Sequence, residues 1–157
     1  PLHPAQIVLG KYAAALAFYA VVLVGSLPIV VMLTFLGEPD LGLIAASYLG
    51  ALLLGAFFLS FGLLASGLTR DQIVAFVLAT LIGFALDLSG HEKVVEVLDG
   101  LAPTLQLGTW LYDSVSVLPH YEIFGRGVVA LADLIYFVLM SSFFVLMNYI
   151  SLQRTRY

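Results

Sequence analysis

The sequence predicts an all-α, polytopic membrane protein: four transmembrane helices, with a short interfacial helix and a re-entrant segment before the last span. Three observations carry this. The chain is 62% hydrophobic and only 10% charged, with mean hydropathy +1.08, whereas an ordinary soluble domain is about a quarter charged. Its uncharged runs are of bilayer length, the longest being the 28 residues 41–68, about 42 Å of helix against a hydrocarbon core of about 30 Å. Its few basic residues segregate to one side of a four-span arrangement.

Taken in order, residues 1–11 carry two prolines and a short amphipathic piece, with Pro4 suited to a first helical turn, and read as a cytoplasmic interfacial segment. Residues 12–35 are the first span, with Tyr12 and Tyr19 toward its start and a kink expected at Pro28. Gly37, Glu38, Pro39 and Asp40 make a tight acidic turn that allows only an antiparallel return. The second span is 41–68. Gly42, Ala46 and Gly50 recur every fourth residue along it, and Ala51 and Gly55 repeat that spacing one position round, so this helix presents faces for close backbone approach.

Thr69, Arg70, Asp71 and Gln72 interrupt the apolar run, and 73–88 follow as a third span, about 24 Å and short for crossing alone. Residues 91–98, HEKVVEVL, place Val94, Val95 and Leu98 on one face and Glu92, Lys93 and Glu96 on the other, the pattern of an interfacial helix. The semi-polar stretch 104–127 dips into the membrane and returns, and the fourth span is 128–152. Together, 89–127 form the outer interfacial and re-entrant segment of one membrane domain, 1–157. Lys11, Arg70, Arg154 and Arg156 fall on one side and only Lys93 and Arg126 on the other, which makes the first side cytoplasmic, with both ends of the chain inside.

The composition also excludes function classes. A net charge of −4 with no basic patch argues against nucleic-acid binding. Without cysteine there is neither a disulfide nor a thiolate site. No P-loop, HExxH or GxSxG occurs, and no catalytic, cofactor or metal residues are assigned. His91–Glu92 and His120–Glu122 are single pairs without a third ligand, better read as loop residues than as a zinc site. Arg70 and Asp71 read first as a solvated hairpin with Asp71 as helix N-cap, and second as a partner contact. Asp133 lies seven residues after Arg126 and hence on the same helical face; an ion pair is favoured over a polar-cavity position. Asp87, near the outer end of the third span, reads first as a carboxylate that reaches water unaided and second as a mark of an aqueous path. Trp110, Tyr112 and Tyr121 read as interface anchors.

Three blocks in order, PLHPAQIVLGKYAAAL, SYLGALLLGAFFLSFGLLASGLTRDQIVAF and PHYEIFGRGVVALADLIYFVLMSSFFVLMNYISLQRTRY, resemble the ABC-2 type transporter permeases, within them the gliding-motility-associated group. The resemblance implies the last four of six spans, with a first pair upstream of Pro1, which also fits a chain that starts without Met. It further implies a permease subunit of an exporter in the cell inner membrane, paired as a homodimer or with a second permease, and driven by a separate ABC ATP-binding subunit. ATP hydrolysis then belongs to the partner. The ATPase-coupling side falls at Gln6, Gly10 and Lys11, with Thr69, Arg70, Asp71 and Gln72 beside it. An outer gate or ion pair falls at His120, Glu122, Arg126 and Asp133. The rival reading is a membrane anchor or assembly component of a surface-motility complex that transports nothing.

Overall fold

A computed structural model describes residues 3–101 and 106–154. Pro1, Thr104 and Arg156, which the sequence reading uses, lie outside them. The described chain is all-helical: α1 (Pro4–Gly25), α2 (Leu27–Leu36), α3 (Leu41–Leu68), α4 (Gln72–Leu88), α5 (Glu92–Leu101), α6 (Leu107–Ser114), α7 (Leu118–Gly125) and α8 (Leu131–Arg154). Three helical stretches are long and apolar enough to cross a membrane, namely Pro4–Leu36, Leu41–Leu68 and Leu131–Gln153. A fourth crossing exists if α4 and α5, bent by 88° at their junction, count as one broken span.

The first span is broken where Pro28 removes an amide and crowds the preceding turn. α1 stops at Gly25 and α2 starts at Leu27, and the Ser26 hydroxyl donates to Leu23 O at 2.7 Å, satisfying a carbonyl at the break. The piece before Lys11, expected at the interface, is continuous with the first span. α1 begins at Pro4 and runs without interruption through Gly10 and Lys11, because Pro4 occupies the first turn and nothing after it breaks the helix.

α3 is the axis of the bundle and contacts α1, α4, α7 and α8. Asp40 caps it, accepting from Gly42 N at 2.8 Å and Leu43 N at 3.1 Å. Asp71 caps α4 in the way its position predicts, accepting from Ile73 N at 2.8 Å. α1 runs antiparallel to α3: the Tyr12 hydroxyl donates to Ala56 O at 3.1 Å, the Tyr19 hydroxyl donates to Ala51 O at 2.9 Å, and the hydroxyls of Ser26 and Tyr48 lie 2.6 Å apart. α8 instead runs parallel to α3, with Phe137 and Phe144 against Phe57 and Asn148 against Gly67.

The core is a small aromatic stack of Phe57, Phe124 and Phe137 with Val117, each at most 3% exposed. Phe57 meets Phe137 and Phe144 edge to face, with centroids 6.5 and 5.6 Å apart. In lipid, where burial of apolar surface drives little association, such close packing carries the helix contacts.

The stretch before the last span, expected as a short interfacial helix at 91–98 and a segment at 104–127 that dips into the membrane, is helical through most of its described residues. It holds three short helices, and α8 starts at Leu131, later than 128. Gly127 has φ +76°, a left-handed conformation that ends α7 and redirects the chain. α5 and α6 pack on each other, and Asp99 joins them. Its carboxylate accepts from Gly108 N at 2.7 Å and from the Thr109 hydroxyl at 2.6 Å. The Thr109 hydroxyl chiefly, against opposing desolvation and helped by the Thr109 and Gly108 amides, holds the Asp99 carboxyl below its ordinary value of 3.8. A carboxyl depressed in the folded state stabilises it above its unfolded value and ceases to as pH falls through the folded one. The contribution of this carboxylate to the α5–α6 junction is therefore whole at neutral pH and is lost only in acid, as pH falls below 3.8. Amide exchange at Gly108 and Thr109, corrected for intrinsic rates, should accelerate there, and Asp99→Asn should show part of that acceleration at pH 7.

Candidate functional site

The two small-residue faces of α3 are occupied within the chain. A Cβ at Gly50 would lie 2.6 Å from Phe124 Cβ, so this glycine is what lets α7 seat on α3, beside buried Ala46. Gly55 faces the Tyr19 ring of α1. Gly42 lies against its own capping residue, Asp40. α7 thus lies along α3 between the core cluster around Phe57, which its N-cap residue Val117 joins, and Leu43, against which Gly127 rests. Its eight residues rise about 12 Å.

Along this path α7 meets the first turns of α8 in a polar junction. His120 Nδ1 lies 2.6 Å from Asp133 Oδ1. An ionised carboxylate only accepts, so Nδ1 donates. The imidazole stacks on the Tyr136 ring, with centroids 3.9 Å apart, and the Tyr136 hydroxyl donates to Val115 O at 3.0 Å and Ser116 O at 3.3 Å. Asp133 sits in the first turn of α8, where the helix N-terminus favours an anion. It is only 3% exposed, and its Oδ2 and the Ser116 hydroxyl are buried without a hydrogen-bond partner. A buried carboxylate with one of its oxygens unmatched depends strongly on its single partner.

The four residues expected as one gate or ion pair therefore divide. Asp133 pairs with His120. Arg126 lies 3.8 Å from Glu122, one turn away, both well exposed. The expected Arg126–Asp133 pair is overturned because no single helix holds both residues: α7 ends at Gly125 and α8 starts at Leu131, so seven residues no longer mean a common face. Tyr136 follows Asp133 by three positions, a spacing that marks one helix face. Nothing in the sequence around Ser116 signals its place at the junction.

At the opposite end of the bundle, the start of α1 and the α3–α4 turn lie together, since α1 and α3 are antiparallel. Gln6 accepts at Oε1 from His3 N at 3.2 Å, Gly10 and Lys11 are exposed on α1, and Arg70 is exposed in the turn. The Thr69 hydroxyl lies 3.3 Å from Ala65 O and 3.2 Å from Asp71 O, and Gln72 opens α4. Among the described residues no three His, Cys, Asp or Glu side chains gather as a metal site. No protein-family model, curated protein or solved structure matches the chain.

Proposed function

We propose that this chain is a membrane-spanning permease subunit of an ABC-2 type exporter, in a cell inner membrane, which together with a second permease forms a translocation path driven by a separate ATP-binding subunit. The observation that carries the proposal is the course of α7. A short helix immediately before the last span runs beside α3 at the level of the span itself, anchored by Phe124 on Gly50 and tied to α8 by His120 and Asp133. It falls within the stretch 104–127, which the sequence reads as dipping into the membrane and returning.

In this reading the start of α1 and the Thr69–Gln72 turn face the cytoplasm, and α5, α6 and the end of α7 face outward. Closure of the ATP-binding subunits pushes on the cytoplasmic end. α3 continues as one uninterrupted helix from that turn to the contact with α7, so a shift at the turn reaches the junction without a hinge in between. The anchor reading, in which the small-residue faces serve assembly with other proteins, is weakened because Gly50 and Gly55 are already covered by Phe124 and Tyr19. Co-purification of the protein with an ATP-binding subunit and ATP-dependent flux from reconstituted liposomes test the proposal. A complex that forms but moves nothing would favour the anchor.

A further inference from the structure

Between α1, α3 and α8 lies a cavity of about 760 Å³, walled by Val8, Tyr12 and Leu16 of α1, Leu53 and Ala56 of α3, and Val145 of α8. Leu9 of α1 with Val138 and Leu146 of α8 also line it and are each more than half exposed, so its mouth lies between α1 and α8 on the surface that meets lipid. Because α1 runs antiparallel to α3 and α8 parallel to it, Ala5 and Tyr149 share one end of the cavity, and Leu16 and Phe137 the other. Ala5 to Leu16 is about 16 Å of helix and Phe137 to Tyr149 about 18 Å, against about 15 Å for half of a hydrocarbon core. The cavity is as deep as one leaflet.

Its chemistry says what fills it. None of the described residues lining it is charged. Of its hydroxyls, Tyr12 donates to Ala56 O, Tyr149 accepts from Gln153 Nε2 at 2.6 Å, and Ser141 is buried. Few partners remain for water, and an apolar space of this kind stays dry. Left empty, it would forfeit the contacts of every side chain around it. Hydrocarbon is the medium within reach. The end at Ala5 and Tyr149 differs from the rest, since Gln6 follows Ala5 and Gln153 bonds to Tyr149, and both glutamines are exposed. Tyrosine at such a place marks a membrane boundary. The occupant is therefore apolar along its length and polar at that end.

We propose that this cavity is a binding site for a phospholipid acyl chain from the leaflet at the start of α1, with its terminal methyl beside Leu16 and Phe137 and its glycerol end beside Tyr149. The acyl chain takes the place of side-chain packing between α1 and α8. This rests on the membrane reading of the chain and is independent of the exporter proposal, since the test needs neither ATP nor a partner subunit.

Phosphatidylcholine with a photoreactive diazirine on its acyl chain, in proteoliposomes of the unmodified protein, tests this when the adducts are mapped by mass spectrometry. A diazirine near the terminal methyl should tag Leu53 and Ala56, the back wall of the cavity, and one near the glycerol end should shift the adducts to Ala5 and Tyr149. Phe18 and Phe76, 72% and 71% exposed, meet bulk lipid whatever fills the cavity, so their adducts report that the protein lies in the bilayer. Ser142→Trp, at an exposed position on the cavity wall, should lose the adducts on Leu53 and Ala56 and keep those on Phe76. Thr80→Trp, exposed on α4 and away from the cavity, should keep both. Adducts on Phe18 and Phe76 with none on Leu53 or Ala56 overturn the proposal, whether water, a second copy or another helix fills the space. Back-wall adducts that Ser142→Trp leaves unchanged overturn it too. Absence of adducts at Phe18 and Phe76 as well would overturn the membrane reading, and the proposal with it.

Discussion

His120→Leu destabilises the folded chain by about 3 to 5 kcal/mol, and Asp133→Leu costs distinctly less. The asymmetry follows from exposure. Without His120, Asp133 is left as an almost fully buried carboxylate with both oxygens unmatched, since Oδ2 already has no partner. Without Asp133, His120 remains with a quarter of its side chain exposed, stacked on Tyr136 and within reach of water. The double replacement should recover much of the loss in His120→Leu, because a well-packed apolar pair replaces a buried hydrogen-bonded pair at little cost. Denaturant unfolding in mixed micelles measures the cycle. Equal single effects that simply add would show that the two residues do not act as a pair.

Gly50→Ala is the second large effect, a loss of about 1 to 3 kcal/mol from overpacking. The atom it meets is Phe124 Cβ, 2.6 Å away, which is fixed to the backbone of α7 and cannot swing aside. Phe124→Leu therefore fails to rescue the variant, because leucine keeps the same Cβ. Gly62, on the same helix, has nothing within 4 Å of a built Cβ, so Gly62→Ala should be neutral or stabilising by up to about 1 kcal/mol through helix propensity. Thermal unfolding of the three variants beside the parent protein separates the close approach from a general glycine effect.

Much of the architecture was legible because lipid imposes a simple pattern. Long uncharged runs had to be helices, Pro28 had to interrupt one, and Asp71 stood where an N-cap belongs. The small residues of α3 announced close contacts, and those at Gly50 and Gly55 exist. The partners of those contacts were not legible, since an apolar sequence does not say which neighbour fills a groove: Phe124 and Tyr19 lie 74 and 36 residues away from the glycines they cover. The polar junction was half legible. His120 and Asp133 stood out as polar residues next to a span, but pairing Asp133 with Arg126 assumed a continuous helix. One glycine at φ +76° breaks that helix and turns the chain so that His120, thirteen positions before Asp133, becomes its neighbour.

The proposed course of the chain, with four crossings and with Glu38 and Glu96 on the outer side, is tested most directly by single cysteines. Residues 1–157 contain no cysteine, so each introduced thiol stands alone among them. Glu38→Cys, Arg70→Cys, Glu96→Cys and Gln153→Cys all fall at exposed positions. In intact cells a membrane-impermeant maleimide should label residues 38 and 96, and should reach 70 and 153 only after permeabilisation. Labelling of 70 and 96 from the same side would mean that α4 does not cross, and would contradict the topology on which the proposed function depends.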